Sequence, residues 1–407
     1  MLIGIDDTDS LSGMCTTYLA MKLSHELTLS GMPKLVRLNP NIPFKTRGNG
    51  AIALKTNSNS DQVKKIVIDL VKEFSHTDDK RTNPGVVFVG ESRSNQNILT
   101  SFYQRVVSQL VSIREAEEIS KKVNADTFRL NNGRGIIGAL ASLGFVSEKK
   151  TFELIAYRTP ENYGKKRMID NNSVFMMNKM FYPNVFDSID EEKNQILITP
   201  RGSDPVFCGI RGKSQDYVKE AWSIVRPIEE IDSTLVFETN QATDDHLRDK
   251  SISKIQPYDC LRLEGKLSSP PRTIEGGHVV FKLVDSTGDI DCAAYQPTGG
   301  FRTAVRSLNQ GDAIVVCGGV GKYANTVNME KMYVKEMVNL KSEVVPVCCL
   351  KNMTSAGRNK GFKCKKCGKK VSQKEVKTAY VQRFIKNGWY EVPPRARRHL
   401  SKPLILE

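Results

Sequence analysis

The N-terminal stretch Ile3-Gly4-Ile5-Asp6-Asp7-Thr8-Asp9-Ser10-Leu11-Ser12-Gly13-Met14-Cys15-Thr16-Thr17 joins an apolar run to a polar loop and the start of a second apolar pattern. The run Leu2–Ile5 is typical of a short buried strand. The apolar spacing of Thr16–Leu29 is typical of a helix that ends before Gly31 and Pro33. We therefore predict a strand and a helix joined by a loop that carries three carboxylates.

That loop has the composition of a site for phosphoryl transfer. Asp6, Asp7 and Asp9 offer the hard oxygen ligands that Mg²⁺ prefers. Thr16 and Thr17 stand at the predicted helix start, where free amide groups and the helix dipole attract an anion. A metal loop beside an anion site suits a triphosphate. The alternative is that the acids only cap the helix, for which one acid would be enough.

Alternating strand-like and helix-like stretches continue to about residue 220 and predict an α/β or α+β class in two interleaved lobes. From Tyr258 onward the pattern changes to strands with one short helix at Thr303–Leu308. This predicts an OB-fold barrel, which commonly binds single-stranded nucleic acid, with a plain β-barrel as the alternative. The five predicted strands are Leu261–Leu267, His278–Val284, Ile290–Tyr295, Ala313–Gly318 and Thr326–Val334.

Two glycine-containing segments are candidates for phosphate contact. Lys45 and Arg47 precede Gly48, where charge and an open backbone favour a phosphate group. Gly133–Gly138 matches the pattern G-x-G-x-x-G, but it lies outside the first strand–helix unit that a dinucleotide fold requires. A tight turn onto a buried helix, or a backbone loop that contacts a nucleotide, fits this segment better than NAD binding.

The polar stretch Pro200–Gly212 does not identify a reaction by itself. Asp204 could receive a cationic substrate, or it could simply be a turn residue before Pro205. His246, in a second polar stretch, has no evident nucleophilic partner, so we do not predict it to be catalytic.

Four cysteines cluster near the C-terminus. Cys364 and Cys367 have the C-x-x-C spacing of a zinc knuckle, whereas Cys348 and Cys349 are adjacent. Adjacent side chains in extended backbone face opposite ways, so Cys348 is the doubtful fourth ligand. A structural Zn²⁺ site is predicted, and a ribbon that has lost its metal is the alternative.

Charge is concentrated in the same region. The 407 residues carry a net charge of +15, and residues 351–407 contain 16 Lys and Arg against three Glu and no Asp. A basic tail that includes Phe384, Trp389 and Tyr390 indicates nucleic-acid binding rather than a merely solvated segment. The nine cysteines, the early acidic residues and the lack of long apolar runs predict a cytoplasmic chain with reduced thiols and no membrane partner.

The motifs, in the order in which they occur along the chain, resemble those of the archaeal tRNA 2-agmatinylcytidine synthetases, the TiaS family. The stretch at Gly4–Thr17 and the sequence GWYEVPP, which opens the matching stretch Gly388–Leu400, are the most specific. The other matching stretches, besides the barrel, are Arg37–Gly50, Gly133–Gly144, Pro200–Gly212 and Asn240–Leu247.

The resemblance implies an ATP-dependent ligase. Such an enzyme activates the C2 oxygen of the wobble cytidine in the AUA-reading isoleucine tRNA by phosphorylation, and replaces it with agmatine as AMP is released. It implies that Thr16 is autophosphorylated and that Asp6, Asp7 and Asp9 bind metal. No protein partner is predicted. A non-catalytic RNA-binding protein, or an ATP-dependent enzyme for another amine or nucleic acid, remains the alternative.

The family also implies an α+β multidomain organisation. The predicted ranges are a kinase-like region at 1–195 interleaved with part of a ferredoxin-like domain, the rest of the ferredoxin-like domain at 196–255, an OB fold at 256–345, and a zinc-ribbon-like segment with a basic tail at 346–407. Predicted phosphate ligands are Thr17, Lys45, Arg47, Gly48, Gly133 and Gly135. Agmatine-binding candidates are Asp204, Cys208 and Gly209. Predicted tRNA contacts are Lys365, Lys366, Arg383, Trp389, Tyr390, Arg395, Arg397 and Arg398.

Overall fold

A computed structural model describes residues 1–45, 48–58 and 60–406. The chain is a mixed α/β multidomain protein with a five-stranded barrel and a small cysteine-rich ribbon near the C-terminus. The predicted phosphate ligand Arg47 lies outside the described residues. Before the barrel the strands are β1 Leu2–Asp6, β2 Lys34–Arg37, β3 Gly50–Lys55, β4 Gly85–Val89, β5 Asp126–Arg129, β6 Thr151–Arg158, β7 Val185–Phe186, β8 Ile189–Asp190, β9 Gln195–Ile196, β10 Val206–Gly212 and β11 Ile231–Thr239.

Nine of these strands form one sheet in the order β5-β4-β1-β3-β2-β11-β6-β10-β7. The two halves of the sheet meet where β11 runs parallel to β2, with Glu238 opposite Lys34 and Thr239 opposite Leu35. The other pairings in the sheet are antiparallel. The sheet therefore brings residues near the N-terminus beside residues from about 150 to 240.

Seven helices of the described part of the chain accompany this sheet, and two of them, Arg93–Val106 and Ile113–Lys122, pack on the helix Ile136–Leu143, which contacts the sheet directly. The predicted strand at Leu2–Ile5 and the helix that starts at Thr16 are confirmed. The helix ends at Glu26, earlier than predicted, because Leu27 is extended and Leu29 forms a β-bridge to Thr56. The helices are α1 Thr16–Glu26, α2 Asp61–Phe74, α3 Arg93–Val106, α4 Ile113–Lys122, α5 Ile136–Leu143, α6 Asn171–Phe181 and α7 Gln215–Ile224.

Helix α5 lies unusually close to β1. A Cβ atom on Gly4 would stand 2.1 Å from the carbonyl oxygen of Ala139, and one on Gly138 would stand 1.9 Å from a carboxylate oxygen of Asp6. Glycine is required at both positions because any side chain would push the helix from the strand. The G-x-G-x-x-G match thus marks a tight turn onto a buried helix, one of the two readings left open above.

The five predicted barrel strands are confirmed, and β13 pairs with β15 to close the barrel in the order β13-β17-β18-β16-β15. An apolar core fills it. The strands of this sheet are β12 Arg248–Asp249, β13 Cys260–Leu267, β14 Arg272–Thr273, β15 Val279–Asp285, β16 Gly288–Ala294, β17 Ala313–Val320 and β18 Thr326–Glu336, and helix α8 spans Gly300–Arg306.

The C-terminal segment first forms the ribbon and then returns to the body. Strand β26 pairs with β18 of the barrel, so the segment is not a free tail. Residues 392–402, which we call the strap, continue from β26 back to the large sheet. The last strands are β19 Lys341–Glu343, β20 Val347–Cys348, β21 Lys351–Asn352, β22 Thr354–Ser355, β23 Phe362–Lys363, β24 Lys370–Val371, β25 Thr378–Tyr380 and β26 Gly388–Glu391.

In the part of the chain that the structure describes, every helix is too short or too polar to span a lipid bilayer.

Candidate active site

A cavity of about 420 Å³ lies where the loops of the two sheet halves meet the strap. Its volume falls within the range of small-molecule sites. One wall carries carboxylates and the start of α1, and another wall carries cationic side chains around a buried carboxylate. Polar residues on its lining include Asp6, Asp7, Asp9, Thr16, Thr17, Arg37, Lys45, Arg134, Glu153, Asp187, Asp204, Arg211 and His399.

The acidic wall begins where β1 ends. Asp7 has a φ of 61°, a left-handed conformation that aspartate tolerates better than most residues and that turns the chain out of the strand. An Arg134 guanidinium nitrogen donates to an Asp7 carboxylate oxygen at 2.8 Å. Burial nevertheless raises the pKa of Asp7 to about 6. Burial and the neighbouring Asp7 raise the pKa of Asp6 well above its ordinary value. For both carboxylates, a bound cation would stabilise the charged form that burial disfavours.

The start of α1 faces the same cavity. The Cys15 thiol at the N-cap lies 3.0 Å from the Thr17 hydroxyl, and in the described residues no side-chain cap hydrogen bond closes the first turn. Its amide groups and dipole are therefore suited to an anion. The Thr8 hydroxyl donates to the Thr16 hydroxyl oxygen at 3.0 Å, which fixes the side chain of Thr16 at the edge of the cavity.

The cationic wall is built around a buried carboxylate. Arg211 donates to Glu153 at 3.2 Å, and Arg37 lies 3.5 Å from the other oxygen of Glu153. Lys45 donates to the carbonyl oxygen of Pro40 and lines the cavity together with Gly48. Glu153 thus pairs with two guanidinium groups, and Arg37, Arg211 and Lys45 on this wall offer positive charge to an anionic ligand.

Two other predicted phosphate ligands lie behind the lining. Gly133, with a φ of 64°, and Gly135 shape the turn before α5, and neither lines the cavity. Gly135 instead donates to the carbonyl oxygen of Asn83. Their prediction as ligands remains untested, while their neighbour Arg134 reaches the cavity.

The agmatine-binding candidates also occupy different positions. Asp204 and Gly209 line the cavity, and Asp204 accepts from Arg167 at 3.1 Å. Cys208 is fully buried, belongs to an apolar core cluster and lies off the cavity lining. The side chain of Cys208 is therefore placed for packing.

The four ribbon cysteines converge. The sulfur atoms of Cys348, Cys349, Cys364 and Cys367 lie within 4.8 Å of one another. Cys349 and Leu350 both have positive φ angles, so the backbone turns and the adjacent thiols point to one place. The expectation that adjacent cysteines face opposite ways is wrong here for that reason. Backbone amides of Cys367 and Lys366 lower the pKa of Cys364 to about 7, which favours the thiolate that a metal requires.

The predicted tRNA contacts divide into two groups. Lys365 and Lys366 are exposed on the ribbon. Trp389 is exposed on β26 and packs against Tyr333, whereas the Tyr390 hydroxyl bonds to backbone groups of Lys386.

Four predicted arginines are ion-paired inside the protein. Arg383 pairs with Asp312 at 2.6 Å, and Arg395 pairs with Asp190 at 2.6 Å. The remaining pairs are Arg397 with Asp187 and Glu391, and Arg398 with Glu330. The basic segment therefore uses part of its charge to attach the strap to the body.

Sequence reasoning missed several cavity residues because they come from distant segments. Arg37, Glu153 and Arg211 lie on three different strands, and His399 lies on the strap. Arg37, Arg211 and His399 each fall within a stretch quoted above for the family resemblance, which was the available signal.

Family models match most of the chain. The model of the TiaS TCKD domain matches residues 2–132, that of the TiaS FLD domain matches 133–246, and that of the TiaS C-terminal zinc ribbon domain matches 345–385. An isoleucine-tRNA 2-agmatinylcytidine synthetase TiaS of Methanosarcina acetivorans is 44% identical over 100% of this chain and 97% of its own length. The chain belongs to the TiaS family. A TiaS protein of Methanocaldococcus jannaschii is 42% identical over 100% of this chain and 98% of its own length.

Solved TiaS structures have the same fold. The complex of TiaS with its isoleucine tRNA and ATP superposes with a TM-score of 0.90 at 40% identity, covering 100% of this chain and 97% of that one. The complex of TiaS with the same tRNA, AMPCPP and agmatine gives a TM-score of 0.87 at 38% identity, with the same coverage. The predicted domain boundaries at 195, 255 and 345 remain predictions.

Proposed function

We propose that this chain is a 2-agmatinylcytidine synthetase that acts on the AUA-reading isoleucine tRNA. A phosphoryl group from ATP is transferred to the C2 oxygen of the wobble cytidine. The agmatine amine then forms the C2–N bond, the C2–O bond breaks, and the oxygen leaves as inorganic phosphate. A second phosphoryl group of the nucleotide is finally transferred to water, which leaves AMP. The cavity carries this proposal, because it joins carboxylates, a helix start without a side-chain cap and a group of cationic side chains in one space.

Asp6, Asp7 and Asp9 would hold Mg²⁺, which when bound neutralises charge on the triphosphate. The raised pKa values of Asp6 and Asp7 support this assignment. Thr16, held by Thr8 beside these acids, is positioned to accept a phosphoryl group. Thr17, Lys45 and Gly48 line the same space, and with Arg37 and Arg211 they would bind phosphate oxygens.

Agmatine needs a carboxylate for its guanidinium group and an apolar wall for its carbon chain. Asp204 and Gly209 line a part of the cavity that also contains Ile198 and Val206. Asp187, on the same lining, already holds the guanidinium of Arg397 and shows how a carboxylate here accepts that group. We assign agmatine to this side of the cavity.

The barrel and the ribbon would hold the tRNA. The strand order, with the parallel pair β16–β18, supports the OB-fold assignment. Exposed Lys365, Lys366 and Trp389 are our proposed tRNA contacts, and Arg383, Arg395, Arg397 and Arg398 would act mainly through their internal ion pairs. The kinase-like and ferredoxin-like assignments of residues before the barrel, and a cytoplasmic location, are part of the same proposal.

The four thiols fit a tetrahedral structural Zn²⁺ site in ligand type and number. Cys348, Cys349, Cys364 and Cys367 would hold the metal and link the two ends of the ribbon. This role is structural and supplies no group to the reaction.

The test is analysis of the wobble nucleoside by mass spectrometry after incubation of the full chain with the AUA-reading isoleucine tRNA, ATP and agmatine. We expect 2-agmatinylcytidine and an equivalent amount of AMP. Asp7→Asn should abolish the product, whereas Asp69→Asn, on the exposed face of α2, should not. Tight tRNA binding without product would support a non-catalytic RNA-binding protein. Product with another amine but not with agmatine would support an ATP-dependent enzyme that uses a different amine.

A further inference from the structure

We propose that His399 is a substrate-binding residue whose Nε2–H group donates a hydrogen bond to a phosphate-type oxygen in the cavity. The inference rests on the proposed function only in taking a phosphate-bearing substrate as the occupant of this cavity. It adds a residue from the strap to a site otherwise built by the large sheet.

Backbone hydrogen bonds from outside the strap hold His399 and its neighbour in place. The carbonyl oxygen of His399 accepts from the amide of Ala242 at 2.8 Å, and that of Leu400 accepts from the amide of Asp244 at 2.8 Å. The preceding Arg398 pairs with Glu330 on β18. The imidazole is therefore presented from a fixed backbone, as a binding group needs to be.

The partner of Nδ1 determines which nitrogen carries the proton. A guanidinium nitrogen of Arg211 lies 3.0 Å from Nδ1 of His399. Because guanidinium can only donate, Nδ1 must accept, and a neutral ring then carries its proton on Nε2. Burial and the charges of Arg37, Arg211 and Lys45 hold the pKa of His399 well below its usual range, so the ring is neutral.

Nε2 is directed at the glycine loop that borders the cavity. It lies 3.7 Å from the position that a Cβ atom of Gly48 would occupy, beside the Arg37 guanidinium. The hydrogen bonds formed among the described residues leave Nε2 without a partner. A neutral donor next to Arg37, Arg211 and Lys45 matches an anionic oxygen. The same tautomer excludes His399 as the base for the agmatine amine, since its lone pair is on Nδ1 and already used.

Two sources supply such an oxygen, namely the triphosphate of ATP and the backbone phosphates of tRNA. Binding of ATP without tRNA, and of tRNA without ATP, should be titrated for the wild type, His399→Ala and His399→Gln. His25→Ala, at the exposed far end of α1, is the matched control. Gln carries an N–H donor at a reach similar to that of Nε2.

We expect His399→Ala to weaken one of the two affinities about 10-fold, with the other unchanged, and His399→Gln to recover most of the loss. The affected ligand identifies the source of the oxygen. Affinities of His399→Ala within twofold of wild type for both ligands would overturn the proposal. These titrations need no turnover, so they test His399 even if the wild type forms no agmatinylcytidine. If His399→Ala binds both ligands like the wild type and still forms the product, the role of His399 is overturned and the proposed function stands.

A second measurement does not depend on a variant that folds. Long-range ¹H–¹⁵N spectra of the ¹⁵N-histidine-labelled full chain, which has five histidines, distinguish the two neutral tautomers. We expect the Nε2–H pattern for His399 at pH 7. An Nδ1–H pattern or a protonated ring would contradict the geometry on which the proposal stands.

Discussion

The hydroxyl of Thr8 donates a hydrogen bond to the hydroxyl oxygen of Thr16 across 3.0 Å, and both side chains are buried. The bond joins the acidic loop directly to the first turn of α1. Since Thr8 supplies the proton of this bond, the proton of Thr16 is directed elsewhere and its oxygen is held beside the carboxylates. If Thr16 accepts phosphate, Thr8 is its positioning residue.

Thr8→Val should therefore slow phosphorylation of Thr16 and formation of agmatinylcytidine by about 10-fold, the cost of one lost orienting hydrogen bond. Valine has nearly the same shape, so ATP affinity should stay within twofold. Thr8→Ser keeps the donor and should keep most of the rate. Peptide mass spectrometry of Thr16 and single-turnover product assays measure both effects. An unaltered rate in Thr8→Val would remove the positioning role.

The second prediction concerns the ribbon cysteines. Because the sulfur of Cys348 lies 3.5 Å from that of Cys367, Cys348→Ser should lower the zinc content from about one per chain as strongly as Cys349→Ser does. Ser342→Ala, on exposed β19, is the control. Metal analysis of the purified variants decides the point. Full zinc content in Cys348→Ser would mean that the fourth ligand comes from elsewhere.

The third prediction concerns stability in acid. Burial alone would raise the pKa of Glu330, but the charges of His246 and Arg398 outweigh it and lower the pKa to about 2. A carboxyl whose pKa is lower in the folded than in the unfolded state stabilises the fold above about pH 4.5, and this contribution is lost as the pH falls toward 2. The loss is on the order of 3 kcal/mol.

Thermal unfolding of the wild type and of Glu330→Gln between pH 7 and pH 3 tests this. The melting temperature of Glu330→Gln should be lower than that of the wild type at pH 7, and the difference between the two melting temperatures should shrink toward pH 3. Glu118→Gln, on the exposed face of α4, should follow the wild type. A difference that stays constant across this pH range would show that the charge of Glu330 is not what stabilises the strap against the barrel.

The fourth prediction separates the ribbon from the strap. The Val344 amide donates to the Lys377 carbonyl oxygen at 2.7 Å, so residues 345–376 can be replaced by an Asn-Gly turn. This excision should weaken tRNA binding and flatten its salt dependence, because exposed lysines are lost. ATP affinity should stay within about twofold, since the cavity keeps its walls.

A chain that ends after Val345 should instead bind both ATP and tRNA more weakly, because β26 and the strap are deleted together with the ribbon. Isothermal titration with ATP and tRNA compares the two deletions. ATP binding that survives the truncation unchanged would show that the strap is dispensable for the cavity.

Local patterns in the sequence were sufficient to predict β1, the start of α1, the five barrel strands and the four cysteines as a cluster. Each depends on contacts or periodicity within a short segment, such as the apolar run at Leu2–Ile5 or the spacing of Cys364 and Cys367. The three carboxylates of the acidic loop were predictable for the same reason, because they adjoin one another in the chain.

Only the tertiary structure decided what the acidic loop faces. Arg37, Glu153, Arg211 and His399 meet because β11 pairs in parallel with β2 and because the strap returns to the large sheet. Nothing in a local window encodes a pairing between residues some 200 positions apart, such as Glu238 with Lys34. The same long-range packing pairs Arg395 and Arg397, both predicted as tRNA contacts, with Asp190 and Asp187, and no local pattern in the sequence indicates these ion pairs.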